Sequence, residues 1–197
     1  MRIRALTGAL TMAMAALSIP ALAAPPREQV FDVPGFADFL AVDGDSVWVT
    51  NAGRVERWSR KGRLAQVAMS KPCGAMAILD GSLWVADCKE NALVRIDTDK
   101  AVKTATIATG LASTGELNVV AGAGSVWVAS DNVAGAIARV DPATNAVIAT
   151  ITVDPGTWYL AFGHGYLWAV SSDARSIQRI DPATNAVTKR TALGKQP

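Results

Sequence analysis

His164 is the only histidine of the chain, so it is the first side chain to consider as a general base or a metal ligand. It stands between two glycines and aligns with Asp80-Gly81 and Ala123-Gly124, where the chain is expected to turn between two strands. We therefore expect an exposed turn histidine, with a catalytic or binding role as the alternative. Neither an HExxH motif nor a cysteine cluster accompanies it, and the sequence predicts no metal site.

Carboxylate and amide side chains form a second group, because they gather in short polar segments that follow each tryptophan-containing run of the chain. We interpret these segments as loops between a second and a third strand, and rigid scaffolds commonly carry ligand-binding residues on such loops. Solvation alone is the alternative reason for their polarity. No Ser/His/Asp set and no phosphate-binding glycine loop is present, so the catalytic residues stay unassigned. The ligand-binding candidates are Asn51, Asp87, Glu90, Asp131 and Asp173 on these loops, together with Glu116, which precedes the innermost strand of blade 3.

Cys73 and Cys88 are the two cysteines of the chain. A two-residue turn at Asp80-Gly81 opposes residues whose numbers sum to 161, and the two cysteines meet that condition. Opposed residues lie about 4.5–5.5 Å apart at Cα, a separation that a disulfide spans. We predict a Cys73–Cys88 disulfide that needs a small register change, because the pair falls at a hydrogen-bonded position. A redox-active or metal-binding pair is the alternative.

The elements that position these residues form an internal repeat. Four segments align on Trp48, Trp84, Trp127 and Trp168, which are 36, 43 and 41 residues apart. Each repeat holds four short runs rich in β-branched and aromatic residues, and no run has a helical period. A unit of about 40 residues with four strands is a propeller blade. The sequence thus predicts an all-β fold, a β-propeller of four-stranded antiparallel blades, with blades 1 to 4 at approximately 36–68, 72–108, 115–153 and 157–192.

The heptapeptide Asp-Pro-Ala-Thr-Asn-Ala-Val occurs twice, at Asp141–Val147 and at Asp181–Val187. Its aspartates can accept hydrogen bonds from the backbone two residues on, its prolines fix φ, and Asn145 and Asn185 tolerate a left-handed conformation. We therefore interpret it as the hairpin turn between the third and fourth strands of a blade. A catalytic role for its aspartates is the alternative.

Residues 1–23 have the pattern of a secretory signal peptide, with a basic start, an apolar run and small residues before a cleavage site after Ala23. The alternative, a membrane anchor, needs about 20 apolar residues, and this run is shorter. Loss of Arg2 and Arg4 leaves 17 basic and 17 acidic residues. Without a basic patch, we expect no binding to nucleic acid or to an anionic membrane. The expected product is a periplasmic or secreted propeller domain over residues 24–197.

Two sequence patterns resemble known propellers. Trp48-Val49-Thr50-Asn51 is similar to the Tyr-Val-Thr-Asn motif of the YVTN-repeat family. The fuller pattern GSVWVAS…ARVDPATNAVIATITV also resembles the virginiamycin B lyase (streptogramin lyase) propellers, and the likeness covers the chain from about Phe39 to its C terminus. This resemblance implies the blade architecture.

The same resemblance permits a check of the lyase site. Those lyases open a cyclic antibiotic across its ester linkage with a metal ion and with His and Glu residues, and their second strands typically read Trp-Phe-Thr-Glu. The corresponding stretches here read WVTN, WVAD, WVAS and WAVS, so the glutamate is absent from all four. The lyase site does not carry over residue by residue.

The sequence favours an exported scaffold that binds an unidentified small molecule or protein and has no evident catalytic site or cofactor. The alternative is a lyase or hydrolase acting on cyclic esters or lactones, with a divalent metal and a base among Asp87, Glu116 and Asp131.

The predicted ring of blades is incomplete, because blade 4 supplies its own fourth strand and the resembling propellers have six or seven blades. Residues 28–35 look like an N-terminal strand that closes a propeller. We expect self-association through the open flanks of blades 1 and 4.

Overall fold

The computed structural model describes residues 28–112, 115–130 and 134–194. This part of the chain contains sixteen β-strands and no helix, and accordingly no helix in it has the length and apolar character to cross a membrane. The predicted signal peptide over residues 1–23 lies outside the described residues, as does Asp131.

The strands form four antiparallel sheets in which sequence neighbours pair, and each sheet is one blade. The prediction of an all-β propeller architecture is confirmed, and the ring is not closed. Blade 1 contains β1 (Leu40–Asp43), β2 (Ser46–Asn51), β3 (Arg54–Ser59) and β4 (Gly62–Ala68). Blade 2 contains β5 (Pro72–Leu79), β6 (Ser82–Asp87), β7 (Ala92–Asp97) and β8 (Val102–Ala108). Blade 3 contains β9 (Leu117–Gly122), β10 (Ser125–Ser130), β11 (Ala136–Asp141) and β12 (Ala146–Thr152). Blade 4 contains β13 (Thr157–Gly163), β14 (Tyr166–Ser171), β15 (Ser176–Asp181) and β16 (Ala186–Ala192).

The turns between first and second strands follow from their dipeptides. Asp80 and Gly81 both have positive φ, 49° and 66°, as a two-residue type I′ hairpin requires. His164 occupies the same place in blade 4, with φ 52°, and its side chain is exposed. The expectation of an exposed turn histidine is confirmed. Because strands alternate in direction, this turn lies at the opposite end of the blade from the loop between second and third strands.

The repeated heptapeptide forms the turn between third and fourth strands, as predicted. The Asp141 carboxylate accepts hydrogen bonds from the Ala143 amide (2.9 Å) and the Thr144 hydroxyl (2.9 Å), which hold its pKa below the ordinary value. Asn145 has a φ of 54°, in the left-handed region that asparagine tolerates. Asp181 repeats the bond with the Ala183 amide, at 2.8 Å. These aspartates therefore shape turns.

Apolar side chains of consecutive sheets fill each joint between blades. Trp48, Trp84 and Trp127 lie in the joints between blades 1 and 2, 2 and 3, and 3 and 4, and all three are fully buried. A sheet that packs against a neighbouring blade on each of its two faces has few exposed positions, which explains the near-continuous apolar runs of the second strands. The core of the molecule is therefore a series of inter-blade layers.

The predicted Cys73–Cys88 disulfide is present, with 6.0 Å between the Cα atoms, and the expected register change takes the form of a β-bulge. Pairing near the turn is as expected, with Ala77 opposite Trp84. A β-bulge between Cys73 and Ala77 then shifts the register, so that Cys73 lies opposite Ala86 and the disulfide runs diagonally between the strands. Gly74 sits in this bulge, and a Cβ there would lie 1.8 Å from the Leu117 carbonyl oxygen of blade 3.

Residues 28–35, expected as a closing strand, form no strand, and the first strand begins at Leu40. The Pro34 carbonyl instead accepts hydrogen bonds from Asn51 Nδ2 (3.0 Å) and Arg54 Nη2 (2.6 Å) of blade 1. The Phe31 ring contacts the Trp58 ring of the same blade, with centroids 5.9 Å apart. Residues 31–36 therefore lie against the outer flank of blade 1. Side chains of that blade, and not a neighbouring strand, donate the hydrogen bonds to the Pro34 carbonyl.

Candidate functional site

The last residue of each second strand has a common structural role. Asn51, Asp87, Ser130 and Ser171 occupy this position in blades 1 to 4. Each holds the backbone of the segment that leads into its own blade's first strand. This is the position at which the sequence placed two of its ligand-binding candidates.

Asp87 is the clearest example, because it is a buried carboxylate with three backbone donors. Its oxygens accept hydrogen bonds from the amides of Ser70 (2.9 Å), Lys71 (3.0 Å) and Lys89 (3.2 Å). Bonds from amides to a charged acceptor are stronger than neutral ones, so Asp87 fixes the connector between blades 1 and 2.

Asn51 does the same for residues 34–36. Its Oδ1 accepts hydrogen bonds from the Phe36 and Ala52 amides, both at 2.8 Å, while its Nδ2 donates to the Pro34 carbonyl. Ser171 donates to the Pro155 carbonyl at 2.5 Å, and Ser130 donates to the Ala112 carbonyl. All four blades thus end their second strand with a side chain that orders the loop end of the molecule.

These ordered segments enclose a groove of about 500 Å³. The residues that precede β1, the β2–β3 turn, the β4–β5 connector and the residues that precede β9 all contribute to it. Asp38 and Glu116 bring carboxylates to its lining and Lys71 brings an ammonium group, while Phe36 and Pro72 supply apolar surface. The groove offers both signs of charge on a frame of hydrogen-bonded backbone.

The structure brings together two of the six predicted ligand-binding residues in this groove, Asn51 and Glu116. Asp87 does not line the groove, but its oxygens accept hydrogen bonds from the amides of Ser70 and Lys71, which do. Glu90 and Asp173 are exposed and are not part of the lining. Asp131 lies outside the described residues.

Sequence reasoning missed Asp38 and Lys71, which line the groove from segments that lead into first strands. Apart from Glu116, it considered only the loops between second and third strands, although all connectors that precede a first strand reach the same end of a blade. The Lys71-Pro72 dipeptide at the start of β5 was the available signal.

A buried charge cluster adjoins the groove through Asn51, whose Nδ2 also donates to Glu56 Oε2 at 3.2 Å. Glu56 is fully buried, and its Oε1 lies 3.0 Å from Arg54 Nε and 2.9 Å from Arg63 Nη1. Burial raises the pKa of Glu56, but the bonds from Arg54, Arg63, Asn51 and Trp58 together outweigh it, and the pKa lies below its ordinary value. The carboxylate is thus a structural anion.

The chemistry available to the groove is ion pairing and hydrogen bonding. Among residues 28–112, 115–130 and 134–194, no group of three or more His, Cys, Asp or Glu side chains is placed to hold a metal ion. His164 lies in a turn at the other end of blade 4 and does not line the groove.

Solved structures with the same architecture confirm the propeller fold. Hydrazine synthase of Kuenenia stuttgartiensis superposes with a TM-score of 0.71 and 16% identity, over 85% of this chain and 51% of the other. A streptogramin B lyase structure superposes with a TM-score of 0.71 and 18% identity, over 84% and 58%. Glutaminyl cyclase of Myxococcus xanthus superposes with a TM-score of 0.54 and 14% identity, over 79% and 70%. At these identities the likeness shows the fold alone, and the chain spans little more than half the length of the first two structures.

A comparison with curated proteins finds no significant match. The sequence model of one protein family, described as a repeat of unknown function (DUF6923), matches residues 75–196. The match begins within blade 2 and includes blades 3 and 4, so it covers more than half of the chain.

Proposed function

The chain belongs to this DUF6923 repeat family, and from that premise we propose that it is an exported β-propeller that binds a small polar ligand in the groove without catalysis of its own. The observation that carries the proposal is the groove of about 500 Å³ lined by Asp38, Lys71 and Glu116. Its volume lies within the range of small-molecule sites, which is about 300–1,000 Å³.

The groove is supported by a rigid frame. The Asp87 carboxylate fixes the Ser70 and Lys71 amides, and Asn51 fixes the Phe36 amide. Because the backbone beneath these side chains is already bonded, ligand binding costs little ordering of the protein. A preorganised loop end on stacked sheets is typical of a binding site.

The charges of the lining indicate the class of ligand. Lys71 complements a carboxylate, and Asp38 and Glu116 complement an ammonium or guanidinium group. Phe36 and Pro72 add apolar surface for a short hydrocarbon part. We therefore expect a zwitterion, such as an amino acid or a short peptide.

Isothermal titration of the secreted protein with amino acids and dipeptides tests this proposal, with acetate and methylammonium as single-charge controls. Lys71→Ala should weaken binding of the best zwitterion about tenfold, or about 1.4 kcal/mol. Lys103→Ala, on the outermost strand of blade 2, is the matched control and should leave affinity unchanged. Absence of binding to every zwitterion, or equal affinity of the Lys71→Ala variant, contradicts the proposal.

Export is part of the proposal and is supported by the N-terminal pattern of residues 1–23 and by the Cys73–Cys88 disulfide. Disulfides persist in oxidising compartments, which suits a periplasmic or secreted protein. Intact mass of the protein recovered from periplasm and medium should correspond to a chain that begins at Ala24 and lacks two hydrogens. Recovery of uncleaved, fully alkylatable protein from the cytoplasm contradicts it.

A relationship to the YVTN repeats and the virginiamycin B lyases is a second proposal, supported by the Trp48–Asn51 motif and the shared fold. It favours turnover of cyclic esters or lactones with a divalent metal and a base such as Glu116. Hydrolysis or elimination that requires added metal and is lost in Glu116→Gln would support that alternative over simple binding.

A further inference from the structure

One arginine recurs at the same place on the third strand of every blade, namely Arg57, Arg95, Arg139 and Arg179. In the first three blades the guanidinium lies over the tryptophan of its own second strand, at 5.7, 5.0 and 4.7 Å from the ring centroid. Its Nε donates to the serine that begins that strand, at 2.8, 2.8 and 2.9 Å. The stack and the hydrogen bond together fix the direction of the side chain.

The fixed arginine reaches the following blade. Arg95 Nη1 donates to the Pro142 carbonyl (2.7 Å) and to Asn145 Oδ1 (3.1 Å), in the Asp-Pro-Ala-Thr-Asn turn of blade 3. Arg139 makes the same two bonds to Pro182 (2.5 Å) and Asn185 (2.8 Å) of blade 4.

Arg57 Nη1 donates to the Thr98 carbonyl, at 2.8 Å, in the corresponding turn of blade 2. Every joint between blades therefore contains an arginine of one blade inserted into the third turn of the next. We call this pair of elements the arginine joint.

Arg179 occupies the equivalent arginine position in blade 4, where Tyr166 replaces the serine that begins the second strand of the other blades. It lies over the Tyr166 ring at 4.4 Å, and its Nε donates to Thr188 Oγ1 at 3.1 Å. Its terminal nitrogens have no hydrogen-bond partner among the residues that the structure describes. Trp168 and Ile177, which correspond to the fully buried Trp127 and Ile137 of blade 3, are only partly buried.

The geometry points to the outer flank of blade 4 as a docking face for one further blade of the same repeat type. The recognised element is a turn of the Asp-Pro-Ala-Thr-Asn kind, which gives a main-chain carbonyl and an asparagine side-chain oxygen to Arg179. The sheet of that blade covers Trp168 and Ile177. This inference is independent of the groove, which lies elsewhere in the molecule.

A second copy of this chain does not supply that element. The third turns of blades 2, 3 and 4 already hold Arg57, Arg95 and Arg139. The third turn of blade 1 is Ser59–Gly62, and its exposed Arg60 and Lys61 have the same charge as Arg179. The flank behind that turn also carries residues 31–36. Charge complementarity thus favours a distinct blade whose third turn carries oxygen acceptors and no cationic side chain.

The test inserts a second copy of residues 154–193 between Leu193 and Gly194 of the full chain. The new connector, Leu-Asp-Pro-Gly, matches the native Val153-Asp154-Pro155-Gly156 connector between blades 3 and 4. Acrylamide quenching of Trp168 should fall at least threefold. Arg179→Ala should lower the thermal midpoint of the five-blade chain as much as Arg139→Ala does, but shift the four-blade chain by less than a third of that amount.

A matched variant changes the asparagine of the inserted turn to Ala, and its effect should be non-additive with Arg179→Ala. Equal and small effects of Arg179→Ala in both chains overturn the proposal. If the inserted blade remains protease-sensitive, a copy of residues 115–153 is inserted instead, and failure of both blades also overturns it. Arg179-dependent dimers of the four-blade chain in light scattering would identify a second copy as the occupant and overturn it equally.

Discussion

The two outer flanks of the molecule present opposite faces of the repeated four-stranded sheet, and the two faces differ in how they are covered. The flank of blade 1 contains the buried Glu56 carboxylate between Arg54 and Arg63, and residues 31–36 lie against it. The flank of blade 4 carries Trp168 and Arg179, the counterparts of residues that fill joints elsewhere.

The difference shows in the residues that correspond to Glu56. The third strands of blades 2 and 3 have Val94 and Ala138 there, packed against the preceding blade, and blade 4 has Gln178, which is buried and hydrogen-bonded. A satisfied ion cluster gives the outer flank of blade 1 a polar character, as is common for the outer faces of repeat arrays. Blade 4 keeps the tryptophan and the arginine of the other blades on its outer flank, but Tyr166 replaces their serine. Substitutions at a few positions of the repeat thus determine whether the outer face of a blade is polar or suited to pack against another blade.

The largest expected effect on the unfolding free energy comes from replacing the corresponding tryptophans of blades 3 and 4, Trp127 and Trp168, one at a time. Trp127→Ala should destabilise the protein by about 4 kcal/mol, because a fully buried side chain is lost from a joint. Trp168→Ala should cost about 1 kcal/mol, because the partly exposed ring has neighbours on one side. Urea unfolding followed by far-UV circular dichroism gives both values. Equal costs would show that the two faces are equally covered.

Removal of the disulfide tests stability away from both flanks. Cys73→Ser with Cys88→Ser should cost about 3 kcal/mol, since the bridge closes a loop of 15 residues. Quenching of Trp168 in the folded double variant should not change, because the bridge lies within blade 2. A change in that quenching would indicate that the flank of blade 4 depends on the interior of blade 2.

Glu56→Ala should destabilise the protein by about 2–3 kcal/mol, because it leaves the Asn51 and Trp58 donors unsatisfied and places Arg54 near Arg63 without a counter-charge. The exposure of Arg63 keeps the cost below that of a fully buried pair. Glu90→Ala, at an exposed position of blade 2, is the matched control and should stay within about 0.5 kcal/mol. Similar results for the two variants would mean that the cluster does not stabilise the flank.

The smallest expected effect is the pH dependence of the same cluster. The pKa of Glu56 is lowered on folding from its ordinary 4.5, so its contribution is fully present above that value and is lost as pH falls through the folded-state pKa. One carboxylate changes the unfolding free energy by at most about 1.4 kcal/mol per pH unit. Glu56→Gln should therefore show a shallower loss of stability below about pH 4.5 than the parent protein does.

Asp97, Asp141 and Asp154 also have lowered pKa values. Part of the decrease in unfolding free energy at acid pH should therefore remain in the Glu56→Gln variant. Identical acid slopes for Glu56→Gln and the parent would assign the acid sensitivity to these aspartates alone.

Local chemistry made much of the fold predictable from sequence. The turns at Asp80-Gly81 and at Asp141 depend only on residues within the turn. The Asp-Gly dipeptide and the Asp141 side chain were therefore enough to locate them in the sequence. The register at Cys73 was not predictable in this way. The bulge there lets Gly74 approach the Leu117 carbonyl of the next blade, and that contact appears only when two blades are packed together.

The candidate site was predictable only in part for the same reason. The position of Asn51 and Asp87 at the loop end followed from the repeat. Their bonding partners, the amides of Phe36 and Ser70, belong to connectors with no repeated motif. Asp38 and Lys71 lie on those connectors, so their convergence with Glu116 depends on how the blades stack.

The turns at Asp141–Val147 and Asp181–Val187 are identical and hold their arginines through the same two atoms. The arginine joint therefore has the same hydrogen bonds between blades 2 and 3 as between blades 3 and 4. A recombination event that removed blade 3 at equivalent points would bring Arg95 to Pro182 and Asn185, and the new junction would repeat bonds that Arg139 already makes. A gene of this kind can gain or lose a blade in one step and keep these hydrogen bonds, while the apolar side chains of the new interface must still fit.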